Sequence, residues 1–528
     1  MCTSFQDSAF RRGLLEADDS IEQCLEEASR YQMPGALRRL FSTFLIYCHP
    51  KNHRLRWDKF YPVFSEDYAY AFLSQRRKVL QLTIQHICYM VKSMGKSFST
   101  FDFGDLKLDE IDVDRSNIKE IEEELNIPIS SEELNVVHML NTEQRYAYDT
   151  IYRRVTKNER GSFFLDGSGG TGKTFLYKTL LANLRVKGII AIAVASSGIA
   201  AANAAANLPG GRTSNSQFKI PLDIEENQSS QISKQSSLAK LIRACRLIIW
   251  DETPMAKHQA IEHFENTIRD VCSSSLFFCG KIVVFGGDFL QVLPIIPKIT
   301  LREAINSSFV MSPLWPKLEK IHLTVNMCAM RDPAFGNFIL GVGDSSHPFE
   351  NGEDIKVPRS IIISGTEEHE LIERLIDTIY PDIQLITIDP SLTTSRAILT
   401  PKTDDAQTIN AMLVSKQEGE PFTYRSFDEA IDIATAQYPI EFLNTLQPSG
   451  LPPHELILKK NSPVILLRNL NPTSGLCNGT RLICKGFDRN VIDAEIAVGH
   501  HKGERVFIPR IPLQPSPTDK FPFQFKRK

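Results

Sequence analysis

The sequence lacks the features of membrane-spanning, secreted and zinc-binding proteins. Nowhere do roughly 18 apolar residues run together, which is the length that a membrane-spanning helix needs. The first residues are acidic and contain no long apolar run, so we expect no secretory signal. The 10 cysteines include no Cys-x-x-Cys pair, and the cluster of Cys48, His49 and His53 lacks two further ligands at zinc spacing. We therefore expect an intracellular protein with reduced thiols and no membrane contact.

An excess of positive charge is also absent. The chain has 60 basic and 63 acidic residues, a net charge of -3, so a surface that binds nucleic acid would have to concentrate its Lys and Arg locally. With 42% hydrophobic and 23% charged residues, the composition is typical of soluble globular proteins. A length of 528 residues is too great for one hydrophobic core, so we expect several domains.

Patterns along the chain predict four consecutive regions. Residues 1–100 place apolar side chains at helical spacing, and residues 101–137 form an acidic linker. In residues 138–345, short apolar runs alternate with helical segments, which predicts an α/β lobe with a parallel sheet covered on both faces. The predicted buried strands are Gly161–Leu165, Ile189–Ala195, Arg246–Trp250 and Lys281–Phe285. The fourth region is residues 346–528.

One segment matches the phosphate-binding P-loop pattern. It consists of Gly167, Ser168, Gly169, Gly170, Thr171, Gly172, Lys173 and Thr174, and it lies between a predicted strand and a predicted helix. The glycines let the backbone approach phosphates, and the helix start supplies free N–H groups. Lys173 can reach the β- and γ-phosphates of ATP, while the Thr174 hydroxyl can bind Mg²⁺. The alternative is an ordinary glycine turn between a strand and a helix.

Two further strand ends carry polar side chains that suit the same chemistry. Asp251 follows the apolar run Leu247–Trp250 and is the predicted Mg²⁺ ligand. Glu252 is the candidate base for the attacking water, which needs a carboxylate near the γ-phosphate. Gln291 follows the strand at Lys281–Phe285, and we predict that it senses the γ-phosphate. Taken alone, Gln291 fits an ordinary surface position equally well.

These motifs, in this order, resemble the Pif-type (petite integration frequency) DNA helicases of superfamily one, and especially the helicase portion of Helitron transposon proteins. The resemblance implies two RecA-like lobes, the second incomplete here, with a β-rich insert around residues 440–515. It implies that Gln144 contacts the adenine and that Ser196, Ser197 and Phe218 face DNA, although Phe218 fits a core aromatic as well. It also implies ATP-driven 5′-to-3′ movement on single-stranded DNA, separation of duplex at junctions, and a nuclear role in recombination, repair and telomere maintenance.

The sequence departs from the family pattern at several points. Asn215 stands where the family has His, and Cys328 stands where it has an arginine close to the γ-phosphate. Arg331 is the nearest candidate substitute. The chain also ends before the family's last motifs, which include a second arginine at the ATP, so we expect a C-terminally truncated helicase. Losing such an arginine costs about 10³–10⁵ in turnover. Three hypotheses remain: an active helicase, a transposon-derived remnant that binds ATP and DNA without unwinding, and a P-loop phosphotransferase.

Overall fold

The chain folds into two compact units, one of which is discontinuous in sequence. The computed structural model describes residues 20–103, 119–196, 212–221, 232–431, 438–515 and 523–528, with gaps of one to three residues inside these ranges. Residues 110–360 form one unit, here called the central unit. Residues 1–109 and 361–528 together form the other, here called the terminal unit.

The N-terminal part of the terminal unit is helical, as the spacing of its apolar residues predicts. Its helices are α1 (Ser20–Ser29), α2 (Pro34–Tyr47), α3 (His53–Phe64), α4 (Glu66–Ala71) and α5 (Arg76–Ser93). Trp57, Phe41 and Phe64 are fully buried where α2 and α3 meet. The guanidinium of Arg38, also buried, donates to both carboxylate oxygens of Asp67 at 2.7 Å. A buried arginine is tolerated because its charge is paired.

The central unit is an α/β lobe built on one parallel sheet. Its strands are β1 (Gly161–Gly167), β2 (Ala191–Ala195), β3 (Arg212–Thr213), β4 (Leu247–Asp251), β5 (Ile282–Gly287) and β6 (Glu319–Leu323). They lie in the order β3-β2-β4-β5-β1-β6. A separate antiparallel pair is formed by β7 (Phe349–Glu350) and β8 (Asp354–Ile355). The four strands predicted from apolar runs are β1, β2, β4 and β5. The helices are α6 (Lys119–Leu125), α7 (Ser131–Leu134), α8 (Thr142–Thr156), α9 (Lys173–Arg185), α10 (Ser214–Phe218), α11 (Ser237–Ala244), α12 (His258–Cys272), α13 (Leu301–Asn306) and α14 (Pro333–Gly343).

Helices cover both faces of this sheet, which explains the uninterrupted apolar runs. Side chains alternate between the faces along each strand, so Phe163 and Leu165 of β1 enter one core cluster while Phe164 enters the other. Every residue of β2, β4 and β5 is buried. A parallel sheet buried on both faces requires this pattern.

Part of the predicted acidic linker belongs to the central unit. Helix α6 lies within residues 101–137, and the structure does not describe residues 104–118. Glu124 of α6 accepts a hydrogen bond from the buried Arg185 at 2.9 Å, and Ile121 packs against a core cluster of the sheet. The prediction of a solvated connector is therefore wrong for α6, because its acidic side chain neutralises a buried arginine and its isoleucine covers the core.

The C-terminal part of the terminal unit is mainly antiparallel. Its helices are α15 (Glu368–Ile379), α16 (Thr403–Lys416) and α17 (Ile440–Thr445), and its strands are β9 (Phe422–Arg425), β10 (Asp428–Ala430), β11 (Glu455–Leu458), β12 (Pro463–Ile465), β13 (Arg481–Phe487), β14 (Val491–Ile496), β15 (Arg505–Pro509) and β16 (Phe525–Arg527). Strands β12 to β15 form a four-stranded sheet, and β9 pairs with β11 and β10 with β16. In the described part of residues 361–528, all strand pairs are antiparallel.

The N-terminal helices and the four-stranded sheet share one core. Val491 is buried in the helical cluster, and Phe507 packs against it. The Tyr47 hydroxyl at the end of α2 donates to the backbone oxygen of Asn469 at 2.6 Å. Whereas the sequence predicts residues 1–100 and 346–528 as separate regions, these contacts join them, because the sheet supplies apolar surface that the helices leave uncovered.

A buried ion pair closes the terminal unit at β10 and β16. The Arg527 guanidinium donates to both carboxylate oxygens of Asp428, at 3.0 and 2.6 Å, and both side chains are excluded from solvent. Arg527 also donates to the backbone oxygens of Pro452 and Leu443, each at 3.0 Å.

Among the helices that the structure describes, none is long and apolar enough to cross a membrane.

Candidate nucleotide-binding site

The predicted phosphate-binding loop lies at the carboxyl end of β1. Gly170 and Gly172 have φ angles of +87° and +82°, in the left-handed region that favours glycine. A Cβ atom at Gly172 would overlap the side-chain nitrogen of Gln144, so close packing also requires a glycine there. Lys173 begins helix α9, and its ammonium donates to the backbone oxygens of Gly167 and Ser168. The lysine thus closes the loop on itself at the place where phosphates would lie.

The predicted metal ligand lies at the same edge of the sheet. Asp251 ends β4 and is buried, and one of its carboxylate oxygens accepts from the Glu252 amide at 3.0 Å. Burial raises the pKa of Asp251, and the Glu252 amide and the nearby Lys173 ammonium oppose that rise. Burial, followed by repulsion from Asp251, also raises the pKa of Glu252. A buried carboxylate that is stabilised by one backbone amide and one nearby lysine fits a site that receives a cation.

The oxygen ligands present suit Mg²⁺ held partly by a nucleotide. Mg²⁺ is usually bound through one or two carboxylates together with substrate phosphates. In the described residues, no cluster of three or more His, Cys, Asp or Glu side chains is placed to hold a metal ion alone. Asp251 and the hydroxyl of Thr174, the second residue of α9, are the residues that would hold it.

The structure gives Gln144, predicted to contact the adenine, a structural role. Its backbone amide donates to the Asn141 side chain at 2.9 Å, and its side-chain oxygen accepts from the Asn141 amide at 3.0 Å, which makes a capping box at the start of α8. Its side-chain nitrogen donates to the backbone oxygen of Thr171 at 2.9 Å. Gln144 therefore ties α8 to the phosphate-binding loop. The spacing Asn141-x-x-Gln144 is a capping signal that the sequence contains.

The end of β5 contacts the loop through a residue that sequence reasoning missed. The Asp288 carboxylate accepts from the Gly169 amide at 3.0 Å and from the Gln291 side chain at 3.3 Å. Gln291, the predicted γ-phosphate sensor, is exposed and is linked to the loop through Asp288. Because backbone N–H groups of such loops bind phosphate, a nucleotide would compete with Asp288 for the Gly169 amide. The position of Asp288 directly after a buried strand is the signal that could have identified it.

The segment after β6 also forms hydrogen bonds with the phosphate-binding loop. Asn326 donates from its side chain to the Gly169 oxygen at 3.1 Å, and the Met327 amide donates to the Gly170 oxygen at 2.9 Å. A Cβ atom at Gly170 would lie 3.1 Å from the Cβ of Cys328. Position 328 therefore lies over the middle of the loop, whereas Arg331 is exposed at the end of the next short helix.

Of the three residues predicted to face DNA, Phe218, Ser196 and Ser197, the first has a side chain that cannot reach a ligand from its position in the structure. The Phe218 side chain is fully buried, with ring centroids 4.4 Å from Phe264 and 6.4 Å from Trp250. The prediction that Phe218 faces DNA is therefore wrong, and the alternative of a core aromatic holds, because a ring enclosed by other rings cannot stack on a base. The Ser196 hydroxyl accepts from the Trp250 ring nitrogen at 2.9 Å at the carboxyl edge of the sheet. Ser197 lies outside the described residues.

Known proteins similar to this chain are DNA helicases. Residues 139–351 match the family model of PIF1-like helicases, and residues 441–487 match that of the 2B domain of the DNA helicase Pif1. The ATP-dependent DNA helicase PIF1 of Xenopus laevis is 24% identical over 352 residues, which is 66% of this chain and 47% of that protein. The protein of the same name from Emericella nidulans is 27% identical, over 61% of this chain and 39% of its own length.

Solved structures give a weaker likeness. A crystal structure of Pif1 helicase from Bacteroides in complex with ADP-AlF3 and ssDNA is 20% identical, covers 70% of this chain and 75% of that one, and has a TM-score of 0.47. The chain spans less than half the length of the first curated relatives that it matches. The chain is thus similar to PIF1-like helicases over residues 139–351 and to the Pif1 2B domain over residues 441–487.

Proposed function

We propose that this chain binds ATP with Mg²⁺ at the loop Gly167–Thr174 and couples its hydrolysis to 5′-to-3′ movement along single-stranded DNA. The observation that supports this most is that Lys173, Asp251 and Glu252 all lie at or after the carboxyl ends of parallel strands, β1 and β4, at one edge of the sheet. Lys173 would neutralise phosphate charge, Asp251 would hold the metal, and Glu252 would accept a proton from the attacking water. ATP and single-stranded DNA, including duplex junctions, are the ligands in this proposal.

The contacts around the loop support coupling between ATP and the rest of the lobe. Asp288 and Asn326 both bind Gly169 of the loop, one at its amide and the other at its backbone oxygen, and they follow two different strands, β5 and β6. Nucleotide phosphates that take the Gly169 amide would release Asp288, and with it Gln291. Binding at the loop would thereby change the two segments that follow these strands. A motor needs such a connection between its nucleotide and its track.

The cellular setting is proposed from sequence resemblance. We place the protein in the nucleus, with a descent from Helitron transposons and a role in recombination, repair or telomere maintenance. The family matches and the names of the relatives support a DNA helicase. The finer assignments rest on the motifs of this sequence alone.

A second candidate function is ATP and DNA binding without unwinding. Cys328 favours it, because a thiol over the phosphate-binding loop cannot neutralise the charge that develops on the γ-phosphate. The burial of Phe218 favours it as well, since this ring supplies no stacking surface for DNA. Both candidates share the nucleotide site and differ in turnover.

ATP turnover with and without single-stranded DNA tests these proposals. For a motor, we expect DNA to stimulate phosphate release at least about tenfold, and Lys173→Ala to abolish that release, because the lysine cradles the phosphates. Lys178→Ala is the matched control, since Lys178 lies on the same helix and outside the loop. Turnover that DNA does not stimulate, together with retained binding of ATP and DNA, would favour the second candidate. Equal ATP affinity in Lys173→Ala and the unchanged protein would refute both.

A further inference from the structure

A tyrosine behind the phosphate-binding loop has a hydroxyl group without a partner. Tyr177 lies on α9, one turn after Lys173, and its side chain is completely buried. Among the residues that the structure describes, none forms a hydrogen bond with its hydroxyl. A buried polar group that lacks a partner is unfavourable, so this hydroxyl calls for an explanation.

The hydroxyl lies beside the predicted metal ligand. A Cβ atom added to Gly286 would overlap the Tyr177 hydroxyl and would lie 3.4 Å from a carboxylate oxygen of Asp251. The hydroxyl and the carboxylate thus flank the same point at the end of β5. Burial raises the pKa of Tyr177 well above its ordinary value, and the nearby carboxylates of Asp251 and Glu252 raise it further. A phenol hydroxyl carries one hydrogen that it can donate.

The surrounding core holds the ring of Tyr177 in place. The side chain belongs to the cluster that contains Leu165 of β1, Leu176 of α9 and Val284 of β5. Helix α9 begins at Lys173, so the same helix carries the phosphate-binding lysine and this hydroxyl. A side chain fixed in this way can orient a metal-binding carboxylate, as outer partners of metal ligands commonly do.

We propose that the Tyr177 hydroxyl donates a hydrogen bond to the Asp251 carboxylate when Mg²⁺ and nucleotide bind, and so positions this carboxylate for the metal. The inference rests on the proposed nucleotide site. Tyr177 is a positioning residue in it, since it acts through Asp251. The hydrogen bond stabilises the ionised carboxylate, which is the form that binds a cation. It also gives the buried hydroxyl a hydrogen-bond partner.

Metal-dependent ADP binding tests this proposal in the full chain. Fluorescent N-methylanthraniloyl-ADP is titrated first in EDTA and then with increasing MgCl₂, and bound Mn²⁺ is measured separately by electron paramagnetic resonance. For Tyr177→Phe we expect ADP affinity in EDTA to stay unchanged. The Mg²⁺ concentration at half-saturation should rise about tenfold, the lower end of the effect of losing an outer partner of a metal ligand. Mn²⁺ affinity should fall by the same factor.

Tyr148→Phe is the matched control. Tyr148 is buried in the same core cluster but lies on α8, where its ring stacks on Tyr152 with centroids 5.2 Å apart. Its Mg²⁺ dependence should equal that of the unchanged protein. An unaltered Mg²⁺ requirement in Tyr177→Phe would overturn the inference. This holds even if the variant melts at a higher temperature than the unchanged protein, because removal of a buried hydroxyl that has no partner can stabilise the fold without any role in metal binding. Failure of the nucleotide site itself is a separate result, seen as unchanged ADP binding in Lys173→Ala.

Discussion

Replacing Cys328 by arginine should accelerate ATP hydrolysis. The Cβ of Cys328 lies 3.1 Å from the point where a side chain on Gly170 would begin, and the Met327 amide is bonded to the Gly170 oxygen at 2.9 Å. An arginine at this position starts directly over the phosphate-binding loop. Its guanidinium can therefore reach the γ-phosphate and neutralise the charge that develops there.

The size of the effect follows from the exposure of this position. Two unit charges 4 Å apart interact by about 1 kcal/mol in water and about 4 kcal/mol near a protein surface. Since each 1.36 kcal/mol changes a rate tenfold, the expected gain in turnover is roughly 5- to 10³-fold. Cys328 is exposed, so solvent screening favours the lower half of this range. The full effect of a buried arginine, about 10³–10⁵, is not expected.

The assay is phosphate release at saturating ATP with single-stranded DNA present. Cys328→Met is the control for side-chain length without charge, and it should not change the rate. The gain should disappear when Lys173→Ala is added to Cys328→Arg, and it should persist when Arg331→Ala is added. If Cys328→Arg hydrolyses ATP no faster while it still binds ATP, position 328 does not face the γ-phosphate.

Three further substitutions test the buried groups. Asp428→Asn should lower the free energy of unfolding of the terminal unit in urea by about 3–5 kcal/mol, because it leaves the buried Arg527 guanidinium without its carboxylate. Arg425→Ala, which removes an exposed ion pair, should lower it by at most about 1 kcal/mol. Equal losses in the two variants would contradict this expectation. Gly286→Ala should cost about 1–3 kcal/mol, and less in a Tyr177→Phe background, since the overlapping hydroxyl is then gone; the absence of rescue would show that the overlap is relieved elsewhere. Burial raises the folded-state pKa of Asp251 above 3.8, so its ionisation costs stability as pH rises from about 3.8 through the raised pKa. The nucleotide-free Asp251→Asn protein should therefore melt above the unchanged protein at pH 7 but not at pH 3.5, and a constant difference at both pH values would refute the burial argument.

The sequence predicted the strands of the α/β lobe well where burial leaves a simple pattern. Strands β2, β4 and β5 are continuous apolar runs because helices cover both faces of the sheet. The edge strand β6 reads Glu-Lys-Ile-His-Leu and was missed, since only Ile321 and Leu323 are buried in it. An edge strand has only one neighbouring strand, so part of it is exposed to solvent and can carry polar residues. These residues interrupt the apolar run by which a buried strand is predicted.

Parts of the candidate site escaped prediction because they depend on distances through space. Motif spacing predicted roles for Lys173 and Asp251, which stand at fixed positions relative to a strand end. The Gly169 amide donates to Asp288, 119 positions further along the chain, and no local sequence pattern indicates such a contact. Phe218 shows the reverse error: a motif placed it near DNA, whereas its surroundings in the core decide its role.

The shared core of helices α1–α5 and the four-stranded sheet has a consequence for synthesis of the protein. Tyr47 and its hydrogen-bond partner Asn469 are separated by 422 positions. At about 5–20 residues per second, a ribosome needs roughly 20–80 s to add the intervening chain. During that interval Val491 and Phe507 have not been synthesised, so the apolar surface of the helices that these two side chains later cover is exposed to water. This nascent surface is where a chaperone would bind, and the last stage of folding must wait until the sheet has left the ribosome.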